Sequence, residues 1–324
     1  MNKSVAVLTS GGDAPGMNAA IRAIVRTGLF HGCEMYGVEM GFEGLVAGNL
    51  RKLSARDVGG IMQSAGTFLG SARSIEFTTE PGLRKAVLNL EGNGIQSVIV
   101  VGGNGSQKGS HALSRAGLAV VGVASTIDND LYGSDITIGV DTALNIAIEA
   151  IDRLRVTATS HRRALLVEVM GRKCGYLALM AGLAGGAEAI VIPERELPPE
   201  RLAELIHAAH ERGKRHALIV VAEGATNNAH RLAEYFAQHE HQLAFELRAT
   251  ILGHVQRGGT PTAFDRLLAT RLGVAAVETL VRGEHGVLVG LLDNRPGTTP
   301  LTDVVDQNKP LDLGLLDMAG MLSR

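Results

Sequence analysis

Cysteine is nearly absent: in 324 residues only Cys33 and Cys174 occur. Two thiols cannot build a disulfide framework or, by themselves, a zinc site, and such sparing use suits a reducing compartment. An excess of one charge is missing too, since 31 basic residues face 33 acidic ones for a formal net charge of −2. That balance argues against a nucleic-acid surface read from bulk charge, so any anion site has to be local. Nowhere do eighteen apolar residues run uninterrupted, and the opening MNKSVAVLTSGG reads as a strand entering a turn rather than as a leader peptide. Tandem repeats, low-complexity tracts and proline-rich linkers are lacking as well. What these absences leave is a cytoplasmic enzyme or binding protein, with neither nucleic acid nor membrane as partner.

What is present is apolar residue at 45%, enough for a full core and for two lobes. Short apolar runs recur: VAVLTS (5–10), SVIVVGG (97–103), AVVGVAS (119–125), ALLVEVMG (164–171), AIVIPE (189–194), ALIVVAEG (217–224) and GVLVGLLDN (286–294). Runs apolar on both faces predict buried strands of parallel sheets, with helices between them. Helical spacing predicts helices over 18–29, 142–155 and 199–212. The chain is therefore α/β. The polar segment 125–140 is the expected first crossing between lobes, with a second near 253–261.

Chemistry is expected at the carboxyl ends of such strands, where open α/β sheets leave a crevice and helix amino ends point positive dipoles. LTSGGDAPGMN (8–18) places Gly11 and Gly12 where a backbone can approach a ligand, with Asn18 opening a helix, or else forms a plain tight turn. No Gly-Lys-Ser/Thr follows, so it is not a Walker loop. VGGNGSQKGS (101–110) reads as a glycine-rich loop whose amides, with Ser106 and Lys108, face phosphate oxygens. Its Gly103-x-Gly105-x-x-x-Gly109 spacing also matches a loose dinucleotide fingerprint, which keeps a nicotinamide-dependent dehydrogenase as a remote alternative. STIDND (125–130) carries Asp128 and Asp130, which project to one side of an extended backbone, one to take a proton and the other to sit near a metal. Arg172 after a strand and the His254–Arg257 cluster offer donors for phosphate oxygens, and Glu223 can accept from a sugar hydroxyl.

Taken together, LTSGGDAPGMNAAIR, GTFLGSAR (66–73), TIDND, EAIDRLR, EVMGR and LGHVQRGG stand in the order and spacing of bacterial ATP-dependent 6-phosphofructokinases, and the chain resembles that family from about residue 4 to its end. The resemblance implies the family's fold: two lobes, each a largely parallel sheet flanked by helices. Residues 1–140 plus about 256–306 would form a nucleotide-binding lobe, and about 141–255 plus 307–324 a sugar-phosphate lobe. It implies the glycolytic transfer of the ATP γ-phosphoryl group to the 1-hydroxyl of fructose 6-phosphate, with Mg2+, in a homotetramer whose sugar-phosphate sites straddle a subunit interface.

Carried over by motif, Asp128 would be the general base with Thr126 beside it, and Arg172 and the Gly12 amide would stabilise charge on the transferring group. ATP would lie along Gly12, Arg73, Gly103, Asn104, Gly105 and Ser106. The sugar phosphate would meet Thr126, Asp128, Asp130, Met170, Gly171, Arg172, Glu223, His254 and Arg257, with Arg163 and Arg248 reaching in from a neighbouring subunit. The family's effector site maps to Arg22, Arg26, Arg155, Gly186, Glu188, Arg212, Lys214, Arg215 and His216.

The departures carry information. The family loop reads Gly-Gly-Asp-Gly-Ser and its aspartate binds magnesium, whereas this chain has Asn104. An amide oxygen still coordinates a hard cation but lacks the full charge, so weakened metal binding is expected at Asn104, with Asp130 contributing indirectly. Asn104 also keeps a second reading open, a regulatory or weakly active paralogue that binds sugar phosphate or nucleotide. Pyrophosphate-using relatives carry an aspartate at the position of Gly105, and glycine there leaves room for a nucleotide α-phosphate. Ser125, Ser74 and Thr78 depart from the ATP users' pattern.

Overall fold

The computed structural model describes residues 4–239 and 244–323. Its first strand is one of the runs that are apolar on both faces. β1 (Ser4–Thr9) buries Val5 to Leu8 completely and leads into α1 (Met17–Phe30). β2 (Glu34–Val38), α2 (Gly41–Ala47), β3 (Leu50–Leu53) and α3 (Glu80–Gly92) follow. β4 (Ser97–Gly102), α4 (Asn104–Arg115) and β5 (Ala119–Ala124) complete this stretch. The glycine-rich segment after β4 is thus a single turn residue, Gly103, followed at once by helix, and not the longer loop read from its glycines. Asn18 likewise does not open α1. Gly16 caps that helix in a left-handed conformation, φ 105°, while the Asn18 side chain holds the 64–68 segment by accepting from Phe68 N at 2.6 Å and donating to Ser64 O at 3.1 Å.

The chain then runs through α5 (Val140–His161), β6 (Arg163–Val169), α6 (Tyr176–Gly185), β7 (Ala189–Val191), α7 (Pro199–Glu211), β8 (Ala217–Ala222), α8 (Ala229–Gln238) and β9 (Glu246–Ile251). α9 (Ala263–Val281), β10 (Val287–Leu292), β11 (Arg295–Pro300), α10 (Leu301–Asp306) and α11 (Gly314–Leu322) close it. No described helix is long and apolar enough to cross a membrane.

Two compact units result, 1–142 with 257–309 and 143–256 with 310–324. The segment 125–140 lies inside the first unit, folded back so that Ser125 bridges Ile138. The first unit is built on a seven-stranded sheet ordered β11-β10-β5-β4-β1-β2-β3. Its centre is parallel, while β3 and β11 are antiparallel edges, β11 joined to β10 by a tight hairpin and β3 reached from β2 through α2. α1 packs on α9, whose Gly273 comes so close that an added Cβ would stand 2.9 Å from the Ala20 carbonyl oxygen. A core on the α2–α3–α4 side includes Leu8, Leu45, Leu90, Val98, Leu113 and Leu288. Truncating any one of these buried leucines to alanine costs about 2–5 kcal/mol, because the gap left behind is only partly filled.

The second unit carries a four-stranded, wholly parallel sheet, β7-β8-β6-β9. Leu166, Ile206, Ile219, Leu232 and Phe236 share its core. β9 is the exception to the apolar-run rule. It lies at an edge with most of its side chains exposed, so no continuous apolar signal marks it.

Candidate active site

At the carboxyl ends of the parallel neighbours β1, β4 and β5 the first unit has a cavity of about 820 Å³. Volumes of roughly 300–1,000 Å³ are those of small-molecule sites. Gly11, Gly12, Arg73, Gly103, Asn104, Gly105, Ser106, Thr126, Asp128 and Asp130 all line it. The strand ends supply these residues because each parallel strand hands its chain to the crevice before a helix returns it.

Arg73 reaches the cavity because its segment is pinned to the β1 end: Thr9 Oγ1 donates to the Gly70 carbonyl at 2.9 Å and Ser71 Oγ to the Gly11 carbonyl at 2.7 Å. The amino end of α4 faces the same space. The first intrahelical bond there runs from Gln107 N to Gly103 O, so the preceding N–H groups have no partner within the helix and carry the positive end of its dipole. Ser106 sits in this first turn, 2% exposed, and its buried hydroxyl has no hydrogen-bond partner in the protein. Gly102 makes the arrangement possible, since a Cβ there would come within 2.3 Å of Ser106 Oγ and 2.6 Å of the Ser10 carbonyl oxygen.

Opposite α4, the turn after β5 presents two carboxylates. Asp128 N donates to Thr126 Oγ1 at 3.2 Å. Burial pushes the Asp130 carboxyl above its ordinary value, against the opposing pull of its own N–H, the Asn104 amide and the Lys309 charge. The two acids share a wall, but not because the backbone is extended as the spacing suggested. Asn129 between them is left-handed, φ 51°. Asn104 Nδ2 donates to the Asp130 carbonyl at 3.3 Å, which leaves Oδ1 as the amide's acceptor atom. Among the described residues no three His, Cys, Asp or Glu side chains are grouped to hold a metal. The available donors, Asn104 Oδ1 and the Asp128 and Asp130 carboxylates, are all oxygen. That set suits a hard cation such as magnesium, which takes its other ligands from phosphate and water.

Arg257, grouped by its motif with the sugar-phosphate residues, lines this cavity too. Its Nη1 donates to the Asp13 carbonyl at 2.7 Å, and a Cβ at Gly12 would lie 2.5 Å from that nitrogen. Phe42, Phe77 and Leu83 form an apolar end to the cavity that sequence reading missed. The two rings stack at 4.2 Å, and Gly109, in α4, faces Phe42 so closely that a Cβ would stand 2.5 Å from the ring. Gly109 therefore serves aromatic packing rather than a phosphate loop, which removes the third glycine of the dinucleotide fingerprint. Neither phenylalanine lies in a run whose periodicity marks it out, so no sequence signal points to either.

The remaining site residues belong to the second unit. Met170, Gly171 and Arg172 follow β6, and Glu223 follows its neighbour β8. Met170 N donates to Gln256 Oε1 at 2.7 Å and Glu223 N to the Val169 carbonyl at 2.9 Å, so these strand ends are tied together. Arg172 is exposed, as is His254 in the 3-10 turn Gly253–Arg257. Arg163 and Arg248 converge on one carboxylate: Arg163 Nε donates to Glu246 at 2.8 Å and Arg248 pairs with the other oxygen. Arg163 is the main reason that the Glu246 carboxyl is held below its usual range.

Of the residues mapped to an effector site, Arg155, Glu188, Lys214 and His216 gather in the second unit. Lys214 Nζ pairs with Glu188 at 2.7 Å, Arg155 donates to the Gly185 carbonyl, and the His216 ring meets Thr159 Oγ1 at 3.1 Å. Gly186 is the left-handed cap of α6. Arg212 donates to the Ser323 carbonyl at 2.9 Å, and Arg215 is exposed beside Thr159 and Arg162. Arg22 and Arg26 lie on α1 in the first unit, Arg26 donating to the Ala55 carbonyl at 3.4 Å.

Comparison with known proteins agrees with these motifs. A family model described as phosphofructokinase matches residues 4–280. An ATP-dependent 6-phosphofructokinase of Listeria monocytogenes is 48% identical over 324 residues, covering 99% of both chains. ATP-dependent 6-phosphofructokinase 1 of Thermus thermophilus is 49% identical over 322 residues, again covering 99% of both. Among solved structures, phosphofructokinase from Saccharomyces cerevisiae matches at a TM-score of 0.87 and 40% identity; the match covers 99% of this chain and 48% of that one, so the chain spans about half the yeast polypeptide. A pyrophosphate-dependent phosphofructokinase from Marinobacter aquaeolei, 22% identical with a TM-score of 0.87 over 96% of this chain and 86% of that one, shares the fold. An α/β chain matched by the family model over most of its length, and by full-length relatives at nearly half identity, belongs to the phosphofructokinase family.

Proposed function

We propose that this protein transfers the γ-phosphoryl group of ATP to the 1-hydroxyl of fructose 6-phosphate, giving fructose 1,6-bisphosphate and ADP. The observation that carries the reading is the buried, unpartnered Ser106 hydroxyl in the first turn of α4, on the same cavity as the Asp128 carboxylate. A buried donor without a partner is costly, and phosphate oxygens at a helix amino end would satisfy it. Gly105 supports a nucleotide as donor, because a Cβ there would meet nothing within 4 Å and the space beside it is open.

In this reading the nucleotide's phosphates lie against Gly12, Gly103, Asn104, Gly105 and Ser106, with Arg73 beside them, and its base lies toward Phe42 and Phe77. Asp128 accepts the hydroxyl proton as the new P–O bond forms. The Gly12 N–H, Arg73 and, by its match to the family motif, Arg172 hold charge on the transferring group, so positioning and electrostatics supply most of the catalysis. Magnesium, when bound, would offset charge on the phosphate oxygens; Asn104 Oδ1 and, less directly, Asp130 would help hold it. Met170, Gly171, Glu223, His254 and Arg257 would hold the sugar phosphate, with Thr126 and Asp130 at its reacting end. The first unit would then be the nucleotide lobe and the second the sugar-phosphate lobe.

The assembly would be a homotetramer. Large apolar side chains left exposed, among them Ile251 on the edge strand β9, are surface that a partner would cover. Arg163 and Arg248, held by Glu246 in one protomer, would reach the partner's sugar phosphate, and the residues mapped to the effector site, Arg22, Arg26, Arg155, Gly186, Glu188, Arg212, Lys214, Arg215 and His216, would take a phosphorylated effector. The buried thiols of Cys33 and Cys174 fit a cytoplasmic setting.

The test is ADP release coupled to a reporter, with fructose 6-phosphate as acceptor, over a magnesium range. Turnover is expected in the native protein. Asp128→Ala is expected to reduce kcat by about 10²–10⁴-fold, and Asn104→Asp to lower the magnesium concentration at half-maximal rate. One observation favours a second reading, a binding paralogue: the neutral Asn104 where the family has its magnesium aspartate. Sugar-phosphate binding by calorimetry without turnover at any magnesium concentration, restored by Asn104→Asp, would establish that reading instead.

A further inference from the structure

The acidic turn after β5 reaches its shape through a side chain to which the phosphoryl-transfer reading gives no role. Asn129 stands between Asp128 and Asp130, is 4% exposed, and has a left-handed backbone, φ 51°. Non-glycine residues rarely take that conformation, and asparagine is among the few that tolerate it. Its side chain is engaged at both ends. Oδ1 accepts from Thr137 N at 3.2 Å, and Nδ2 donates to the Asp135 carbonyl at 3.3 Å. Thr137 Oγ1 donates in turn to the Thr126 carbonyl at 2.6 Å, which closes a ring from the residue beside the proposed base, through the segment leading to α5, back to Asn129. Lys309 Nζ adds a second donor to the Asp135 carbonyl at 2.6 Å.

The consequence is geometric. Asp128 and Asp130 both line the cavity, whereas Asn129 between them does not. In a turn rather than an extended strand, neighbours two apart face one way only if the residue between them has the right φ. A right-handed Asn129 would send the Asp130 carboxylate elsewhere and free the Thr126–Thr137 tie.

We propose that Asn129 is a positioning residue for phosphoryl transfer: by holding the left-handed turn and clamping Asp135 and Thr137, it keeps the Asp128 and Asp130 carboxylates on one wall of the nucleotide cavity. The proposal rests on the kinase reading above. It predicts an effect on the chemical step with little effect on nucleotide binding, because Gly11, Gly12, Gly103 and Ser106 make no bond to the ring.

The test is steady-state kinetics on the full-length enzyme with ATP, fructose 6-phosphate and magnesium. Asn129→Gly tolerates the left-handed backbone but has no amide. It is expected to lower kcat by about ten- to a hundredfold, as small misplacements of reacting groups do, while the KM for ATP stays within about twofold, the signature of a contact that matters in the transition state alone. Asn129→Asp keeps the acceptor for Thr137 but adds a charge beside Asp128. It is expected to lose less kcat than Asn129→Gly, because the bond from Thr137 N survives. Lys309→Met, at the half-buried outer end of the network, is expected to give the same split more weakly without a folding defect.

A kcat for Asn129→Gly within about twofold of the native enzyme overturns the proposal. So does a loss of kcat that matches a loss of folded protein on thermal unfolding, or a KM for ATP that rises as kcat falls. Absence of turnover in the native enzyme overturns the kinase reading and this proposal together, whereas turnover that is indifferent to Asn129 overturns the positioning role alone.

Discussion

His216 is a half-buried ring moved away from its ordinary behaviour. Burial lowers its pKa below the usual 6.5, with the Arg155 and Lys214 charges acting in the same direction and Glu188 opposing them. Because the folded pKa is depressed, the unfolded chain takes up a proton near pH 6.5 before the folded chain does. This histidine therefore costs no stability above pH 6.5 and lowers stability as pH falls through that value toward the folded pKa. His216→Gln is expected to have a smaller drop in thermal midpoint than the native protein between pH 7.5 and 5.5; parallel curves would show that the ring is not the source. Gly12, Asn104, Ser106 and Asp128, named from their motifs, do line the first unit's cavity. Phe42 and Phe77 could not be named, because stacking at 4.2 Å joins side chains thirty-five positions apart and leaves no local pattern.

Among the elements, the amino end of α5 depends on a residue from α9. Asp265, fully buried, accepts from Gly139 N and Thr142 N, each at 2.8 Å, and from Thr142 Oγ1 at 2.5 Å, capping one helix from another. Burial pushes its carboxyl above the ordinary value even so. Asp265→Asn turns an amide N–H₂ toward one of these donors and is expected to cost about 1–3 kcal/mol, read as a lower midpoint in chemical denaturation. The variant should also lose a slope that the native protein has. A carboxyl whose folded pKa is raised lowers stability as pH rises from its unfolded value, near 3.8, to the folded one. Strands apolar on both faces were legible because parallel central strands need apolar side chains above and below. β2, β3, β9 and β11 were not, since each leaves part of its side chains half-buried or exposed and so carries no continuous apolar run, whether at an edge like β3, β9 and β11 or inside the sheet like β2.

For the whole molecule, the proposed homotetramer gives a direct expectation. Light scattering should report about four times the chain mass, and Ile251→Glu, on the exposed edge strand, should shift the population to smaller species while leaving the circular dichroism of the protomer unchanged; a native monomer at micromolar concentration would refute the assembly. By itself the sequence determined the α/β class, the run of motifs, and the residue types able to cradle phosphate and take a proton, because apolar periodicity and glycine placement act over a few neighbouring residues. Tertiary structure alone decided that Ser106 would be buried without a partner, that Arg257 would lie on Gly12, that Asn129 would turn left-handed between two acids, and that an aromatic pair would end the cavity. Each of these depends on which distant segments pack together, and burial and unsatisfied hydrogen bonds come into being only with that packing.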